Sequence, residues 1–335
     1  MMRPAALLLA TSALFGASAA NAAPDVVVSI KPIHSLVASI MQGVGEPALI
    51  VEGAASPHTF TMKPSNARAV QGADIVFWMG PGMEAFLEKP LEALASDATV
   101  VRLDDVEGLE KLPFREGGAF EAHDHGDDHG HAGSHDHAEA ADGDDHEGHA
   151  HGDHGHDDHH HGEFDTHLWL DPANAKAMAA AIEKSLAAAD PDNASAYAAN
   201  LDALNGKIDV LDKEITATIA PIKEKPFIVF HDAYQYFESH YGVRVVGSIT
   251  VSPEVMPGAE RVTEIHDKVK ELGATCVFAE PQFEPKLIQV VTEGTPAKSG
   301  TLDPEGASLT EGPALYFDLM QSIATNLKIC LGQDT

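Results

Sequence analysis

The sequence predicts an α/β protein of two (β/α)4-like lobes, each built on a parallel sheet, joined by a long connector helix. Two observations predict the lobes: short β-branched runs alternate with helical segments from Asp25 to Leu103, and a second series of the same kind runs from Pro226 to the end. A third predicts the connector, an amphipathic pattern of about seven turns lying between the two series. With 335 residues, 44% of them hydrophobic, the chain is long enough to bury two cores.

Asp25–Ile30 (DVVVSI) reads as a buried strand, and Pro32 then opens a helix with Ile33, Leu36, Val37, Ile40 and Met41 on one face. Ala48–Glu52 is a second strand, ending in the small-residue loop Gly53-Ala54-Ala55-Ser56-Pro57-His58. Ser65 can cap a short helix reaching Gln71, and Ile75–Trp78 (IVFW) is the third strand. Gly80-Pro81-Gly82 turns the chain into a helix over Met83–Leu94, and Thr99–Leu103 is a fourth strand. After a long polar tract, Asp171 as N-cap and Pro172 as first residue start an alanine-rich helix that Asp190-Pro191 breaks. Helix resumes near Ala194, and Leu201, Leu204, Ile208, Leu211, Ile215 and Ile219 recur at spacings of three and four. In the second series Pro226–Phe230, Val243–Ser248, Thr275–Ala279 and Lys298–Leu302 read as strands. Tyr234–Tyr241, Gly258–Leu272, Pro285–Glu293 and Ala314–Leu327 read as helices, Val262, Ile265, Val269 and Leu272 facing inward in the second.

The expected boundaries are a signal peptide over 1–22, an N-terminal lobe over 23–170, a helical region over 171–222 and a C-terminal lobe over 223–335. Arg3, the apolar run Ala5–Phe15 and the small residues Ala20-Asn21-Ala22 fit a cleaved secretory signal, the apolar run being short for a membrane span. No cysteine lies at the cleavage site to carry a lipid, so the expected location is the periplasm. In that oxidising compartment Cys276 and Cys330 are most simply a disulfide, two buried thiols being the alternative.

Net charge is −31, and Glu121–Asp165 supplies fifteen acids and no base. Such acidity argues against nucleic acid and anionic membranes as partners and favours cations. Fourteen of the twenty histidines fall in one run: His123, His125, His129, His131, His135, His137, His146, His149, His151, His154, His156, His159, His160 and His161. Imidazole is a common zinc ligand and much of it is neutral at pH 7, so the tract reads as metal-binding. The same composition cannot build an apolar core, and the segment 117–162 is expected to be a disordered loop.

Six histidines stand outside it: His34, His58, His167, His231, His240 and His266. His58 follows the second strand and His231 the strand Phe227–Phe230, where open α/β sheets place ligands; His167 enters the connector region. Asp303 also follows a strand. Three neutral imidazoles with a carboxylate or water would suit tetrahedral zinc, but each histidine taken singly also reads as a surface or capping residue, and the spacing is too long-range to be a motif. His34 reads as a capping or surface residue, and His240 and His266 as surface residues able to serve a secondary metal site with the tract. Glu238 and Glu254 could orient loops, and Trp169 and Phe60 are expected to pack the cleft wall.

Several motifs stand in fixed order. Ser56-Pro57-His58-Thr59-Phe60 with Lys63-Pro64-Ser65, then Asp74–Gly80 and Gly82-Met83-Glu84, come first. His167-Leu168-Trp169-Leu170-Asp171-Pro172 and Phe230-His231-Asp232-Ala233-Tyr234-Gln235-Tyr236-Phe237-Glu238 follow, and then Phe278-Ala279-Glu280-Pro281-Gln282-Phe283 and Gly300-Thr301-Leu302-Asp303-Pro304. Together they resemble the cluster A-I metal-ion solute-binding proteins of ABC importers, over Asp25–Leu331 apart from the tract. In that family the zinc carriers place a third histidine where manganese carriers place a glutamate, and they often insert a His-rich acidic loop. The resemblance therefore implies a zinc carrier with Zn2+ held by His58, His167 and His231 in the cleft between the lobes, and imidazole does suit zinc better than manganese. It also implies delivery to a membrane permease, with a periplasmic zinc donor as a further partner and a monomeric state, and its paired cysteines match Cys276 and Cys330. Some relatives carry a glutamate just before the first histidine; here Pro57 stands there, so Asp303 is the expected fourth ligand and water the alternative. The tract is expected to capture zinc weakly and present it to the cleft. Rival readings are a metal reservoir or chaperone without a permease, a carrier of manganese or another divalent ion, and a zinc hydrolase, for which no HExxH or nucleophile elbow is present.

Overall fold

The computed structural model describes residues 23–115, 120, 164–250, 257–271, 273–283 and 286–332. The signal segment, all fourteen histidines of the tract, Glu254 and Leu272 lie outside the described residues. Among these residues are two four-stranded sheets, every strand pair parallel. The first has the order β2-β1-β3-β4, with β1 at Val26–Val28, β2 at Ala48–Leu49, β3 at Ile75–Trp78 and β4 at Thr99–Arg102. The second repeats that order as β6-β5-β7-β8, with β5 at Pro226–His231, β6 at Arg244–Thr250, β7 at Cys276–Ala279 and β8 at Lys298–Thr301. In both, strand order reverses between the first and third strands of the lobe, which opens a crevice at their carboxyl ends. The second strand is shorter than its β-branched pattern suggests, although Ile50 and Val51 still donate to Val28 and Ser29 at 2.9 Å.

Helices α1 (Lys31–Ile40), α2 (Pro64–Gly72) and α3 (Glu88–Leu94) serve the first lobe. The helix read over Met83–Leu94 is broken, because Gly80-Pro81-Gly82 leads into a 3-10 turn at Ala85–Leu87 before α3 begins. Asp171 caps α4 (Pro172–Ala189) by accepting from the Ala173 N–H at 2.6 Å, as its sequence signal requires. The connector α5 (Ala194–Ile219) has 26 residues, about 39 Å of helix, and buries Tyr197, Leu204, Ile208, Leu211, Ile215 and Ile219. Helices α6 (Gln235–Tyr241), α7 (Ala259–Glu271) and α8 (Lys286–Thr292) belong to the second sheet, and α9 (Leu315–Leu331) closes the chain.

A second link between the lobes comes from α9, which returns to the first lobe to pack on α1 and α5. There the Tyr316 N–H donates to Ser35 Oγ at 3.0 Å, and Ser39 Oγ donates to the Pro313 carbonyl at 3.2 Å. One hydrophobic core therefore runs through both lobes, from Val28 and Leu36 through Trp169 and Ile208 to Phe278 and Leu319. Cys276 and Cys330 form a disulfide that fastens β7 to α9.

At the crevice of the first sheet sits a fully buried carboxylate, Glu84. It accepts from Ser29 Oγ, from the Met79 N–H at 3.2 Å and from the Gly80 N–H at 3.0 Å. Gly80 is required here: its φ is +139°, and a Cβ would lie 2.3 Å from the Asp104 carboxylate. Burial pushes the Glu84 carboxyl from its usual 4.5 to about 7, against the pull of its three donors. A carboxyl raised on folding stabilises fully below pH 4.5, and that stability is lost as pH rises through 7. The difference corresponds to roughly 3 kcal/mol. Thermal melts of Glu84→Gln and of the parent across pH 4.5 to 8 should converge or cross toward the variant by several degrees; a pH-independent gap would contradict this role.

Candidate metal centre

His231 is the last residue of β5, and Glu280 follows directly on the adjacent strand β7. The crevice between those strands brings the Glu280 carboxylate against the ring: His231 Nδ1 lies 2.6 Å from Glu280 Oε1. His167 is held in the same manner by a nearer residue, its Nδ1 lying 2.7 Å and its backbone N–H 3.0 Å from Asp165 Oδ1. An ionised carboxylate only accepts, so both Nδ1 atoms carry protons and both Nε2 atoms are left with bare lone pairs. Those two Nε2 atoms are 3.3 Å apart. His58 arrives from the first lobe on a 3-10 turn, Pro57–Thr59, that Pro57 opens. Its Nε2 is buried and, among the described residues, has no hydrogen-bond partner. One ligand nitrogen from each of the three imidazoles lies within 4.8 Å of the other two.

The electrostatics favour a cation. Burial, and then the imidazoles of His167 and His231, hold His58 well below the ordinary histidine range, so it is neutral at pH 7. Burial acts in the same direction on His231, but the carboxylate of Glu280, with Asp165 and Asp232 behind it, carries its pKa above the usual value. Two lone pairs 3.3 Å apart repel unless a proton or a metal ion lies between them. For ligands about 2.0–2.1 Å from tetrahedral zinc, the expected nitrogen–nitrogen edge is about 3.3 Å. Asp165 Oδ2 and Glu280 Oε2, without a partner among the described residues, are also buried here, adding negative potential behind the imidazoles.

Asp303 lies outside this group. Its oxygens accept from the Ala307 N–H at 2.9 Å and the Ser308 N–H at 3.0 Å, so it shapes the turn that follows β8. On that turn Glu305, which the motif reading passed over, is buried with Oε1 4.0 Å from His58 Nε2. Burial, reinforced by the carboxylates of Glu280, Asp303 and Glu84, pushes Glu305 well above the usual carboxylate range. Asp165 and Glu280 were also not assigned roles; the only sequence signals for them are the Asp-Thr-His spacing and a glutamate ending a strand beside β5.

The remaining candidates fall elsewhere. His34 is a buried residue, not a surface one: its Nε2 lies 3.0 Å from the Pro47 carbonyl oxygen, inside the packing of α1. His240 pairs with Asp212 at 2.8 Å, and His266 Nε2 lies 2.9 Å from the Glu293 carbonyl oxygen. Trp169 is fully buried, its indole N–H donating to the Pro304 carbonyl at 2.8 Å and its ring edge-on to His167 at 5.4 Å. Phe60 packs on Phe86 with ring centroids 5.0 Å apart. Glu238 binds Arg115, which also holds Asp232 beside His231. Pro113 bridges to Phe164, and the Asp165 N–H donates to the Leu112 carbonyl at 2.9 Å, so both ends of the His-rich tract are rooted beside the imidazoles.

Comparison with known proteins gives the family. The family model described as zinc-uptake complex component A, periplasmic (ZnuA) matches residues 26–330. The high-affinity zinc uptake system protein ZnuA of Brucella suis biovar 1 is 53% identical over 327 residues, covering 95% of each chain. The protein of that name from Paracoccus denitrificans is 37% identical over 336 residues, covering the whole of both. Among solved structures, a crystal structure of ZnuA superposes with a TM-score of 0.70 at 24% identity, covering 92% of this chain and 99% of the other.

Proposed function

The chain belongs to the family of periplasmic zinc-uptake components, ZnuA, and from that premise we propose that it captures zinc through His58, His167 and His231 and delivers it to the membrane permease of an ABC importer. The observation that carries the ligand assignment is the pair of bare Nε2 atoms 3.3 Å apart, each aimed by a carboxylate on its far side and joined by the unpartnered Nε2 of His58. Zinc is the cargo. Imidazole ligands favour it over manganese, which prefers carboxylate and water oxygens.

The chain acts as a carrier and not as an enzyme, Asp165 and Glu280 each using one oxygen to aim an imidazole. It reaches the periplasm by cleavage of residues 1–22 and works as a monomer, taking zinc from solution or from a periplasmic donor. Release needs the His58 turn to part from the second lobe. With α5 and α9 both spanning the lobes, loop movement at the cleft is easier than a wide hinge.

The His-rich tract serves as an accessory zinc collector. Its roots lie beside the site, so zinc held there is presented at an effective concentration of roughly millimolar order. Zinc titration of the full chain beside a chain lacking His123–His161 tests both parts. The full chain should take up several equivalents and the shortened one a single tight equivalent. Equal stoichiometry would remove the collector role, and loss of the tight equivalent on shortening would remove the cleft assignment.

A further inference from the structure

We propose that Tyr236 is a positioning residue for zinc: its hydroxyl fixes Asp165, and through Asp165 the aim of His167 at the ion. This rests on the three-imidazole reading given above and adds to it a residue that coordinates nothing itself. Tyr236 stands on α6, the helix that follows His231, and is buried. Its hydroxyl donates to the Asp165 carbonyl at 2.7 Å and accepts from the Leu112 N–H at 3.0 Å. The Asp165 N–H in turn donates to the Leu112 carbonyl at 2.9 Å. One phenol therefore closes a ring of three hydrogen bonds through the backbones of Leu112 and Asp165.

The ring matters because the Asp165 side chain has little else to hold it. Oδ1 takes the His167 Nδ1 at 2.7 Å and the His167 N–H at 3.0 Å, while the buried Oδ2 has no partner among the described residues. A carboxylate gripped only by the residue it aims cannot fix that residue; its position must come from its own backbone. The two aiming carboxylates differ in this respect. Glu280 follows directly on β7, and the pairing of β7 with β5 and β8 sets its backbone. Asp165 follows only the single bridge between Phe164 and Pro113, so the Tyr236 hydroxyl does for it what the sheet does for Glu280. Arg115 ties the same segment to the same frame, its Nε donating to Asp232 at 3.0 Å and its guanidinium pairing with Glu238 on α6. The stretch from Leu112 to Arg115 is thus clamped along the end of β5 and α6, which carry His231. His167 and His231 are held as one body, and their Nε2 atoms stay 3.3 Å apart although two bare lone pairs at that distance repel. Without the hydroxyl the pair relaxes apart, and zinc must restore it at a cost in affinity.

The test uses full-length Tyr236→Phe, which keeps the buried ring and removes only the hydroxyl, beside Asp165→Asn, the double variant, His231→Ala and Tyr197→Phe. Tyr197 is the control: it is also buried, and its hydroxyl donates to Asp190 Oδ2 at 2.9 Å where α4 gives way to α5. In competitive titration against a tight chelator, Tyr236→Phe should bind zinc roughly 10-fold more weakly, the lower end of what residues that orient a ligand are worth. The loss should appear as faster release of zinc to excess chelator, and the absorption bands of bound Co2+ should shift as one imidazole changes its angle. Tyr197→Phe should lower Tm and leave zinc affinity and the Co2+ bands as in the parent. Because Tyr236 acts through Asp165, the double variant should bind zinc within about twofold of Asp165→Asn alone. The proposal is overturned if Tyr236→Phe lowers Tm yet keeps the parent's zinc affinity and Co2+ bands. It is equally overturned if the losses of Tyr236→Phe and Asp165→Asn multiply in the double variant. A tight site that survives His231→Ala would instead overturn the three-imidazole reading beneath it.

Discussion

Replacing His231 by alanine is expected to lower the affinity of the tight zinc site by more than about 100-fold, since residues that merely orient a ligand are typically worth 10- to 100-fold. The substitution removes one coordinate bond and does a second kind of damage. Glu280, buried at the end of β7, loses the imidazole that its Oε1 holds at 2.6 Å and is left as an uncompensated carboxylate. His167 loses the Nε2 that stands 3.3 Å from its own, and with it the repulsion that zinc relieves. Competitive titration of the variant reads the loss directly. His266→Ala, whose ring lies against the Glu293 carbonyl away from the cleft, is the matched control and should bind as the parent does. A His231→Ala protein within about tenfold of the parent would mean the zinc is held elsewhere.

The second large effect concerns the fold. Cys276 and Cys330 are separated by 54 residues, a loop whose closure is worth about 4 kcal/mol in the chain-entropy account. Replacing both by alanine should therefore lower Tm by roughly 10 °C for a chain of this size. The bond fastens β7, which leads to Glu280, to α9, which packs on α1 of the other lobe. Zinc affinity should fall much less than stability does, because Glu280 is also set by the pairing of β7 with β5 and β8. With Cys276 fully buried and Cys330 7% exposed, a thiol reductant should act on the native protein only as it opens. A variant that melts with the parent would show that packing of α9 alone carries this stability.

Much of the fold was legible because its signals are local. Pro172 and Asp171 start a helix wherever they stand, and Leu204, Ile208, Leu211 and Ile215 mark a buried face by their spacing alone. Gly80-Pro81-Gly82 was legible as a turn, but its cost to the following helix was not: the break into a 3-10 turn answers to Glu84 and Asp104 being packed beneath Gly80. His34 misleads for a related reason. A histidine at a helix start reads as a polar cap, and only the packing of α1 against the Pro47 carbonyl makes it a core residue.

By itself the sequence determined the two βα series and the connector, because strand ends and helix starts are written in adjacent residues, and the order of its motifs singled out the cysteine pair and three histidines. Only the tertiary structure decided which side chains aim those histidines and which carboxylate faces them. His231 and Glu280 are 49 residues apart and His167 and His231 are 64 apart. What joins them is the order β6-β5-β7-β8, which sets His231 and Glu280 at the ends of neighbouring strands. The turn after β8 is of the same kind. Asp303 and Glu305, two residues apart on it, differ in direction because Asp303 spends its oxygens on the backbone while Lys31 from the other lobe holds the turn that brings Glu305 near His58. Spacing along the chain carries no record of such directions; packing between the lobes determines them.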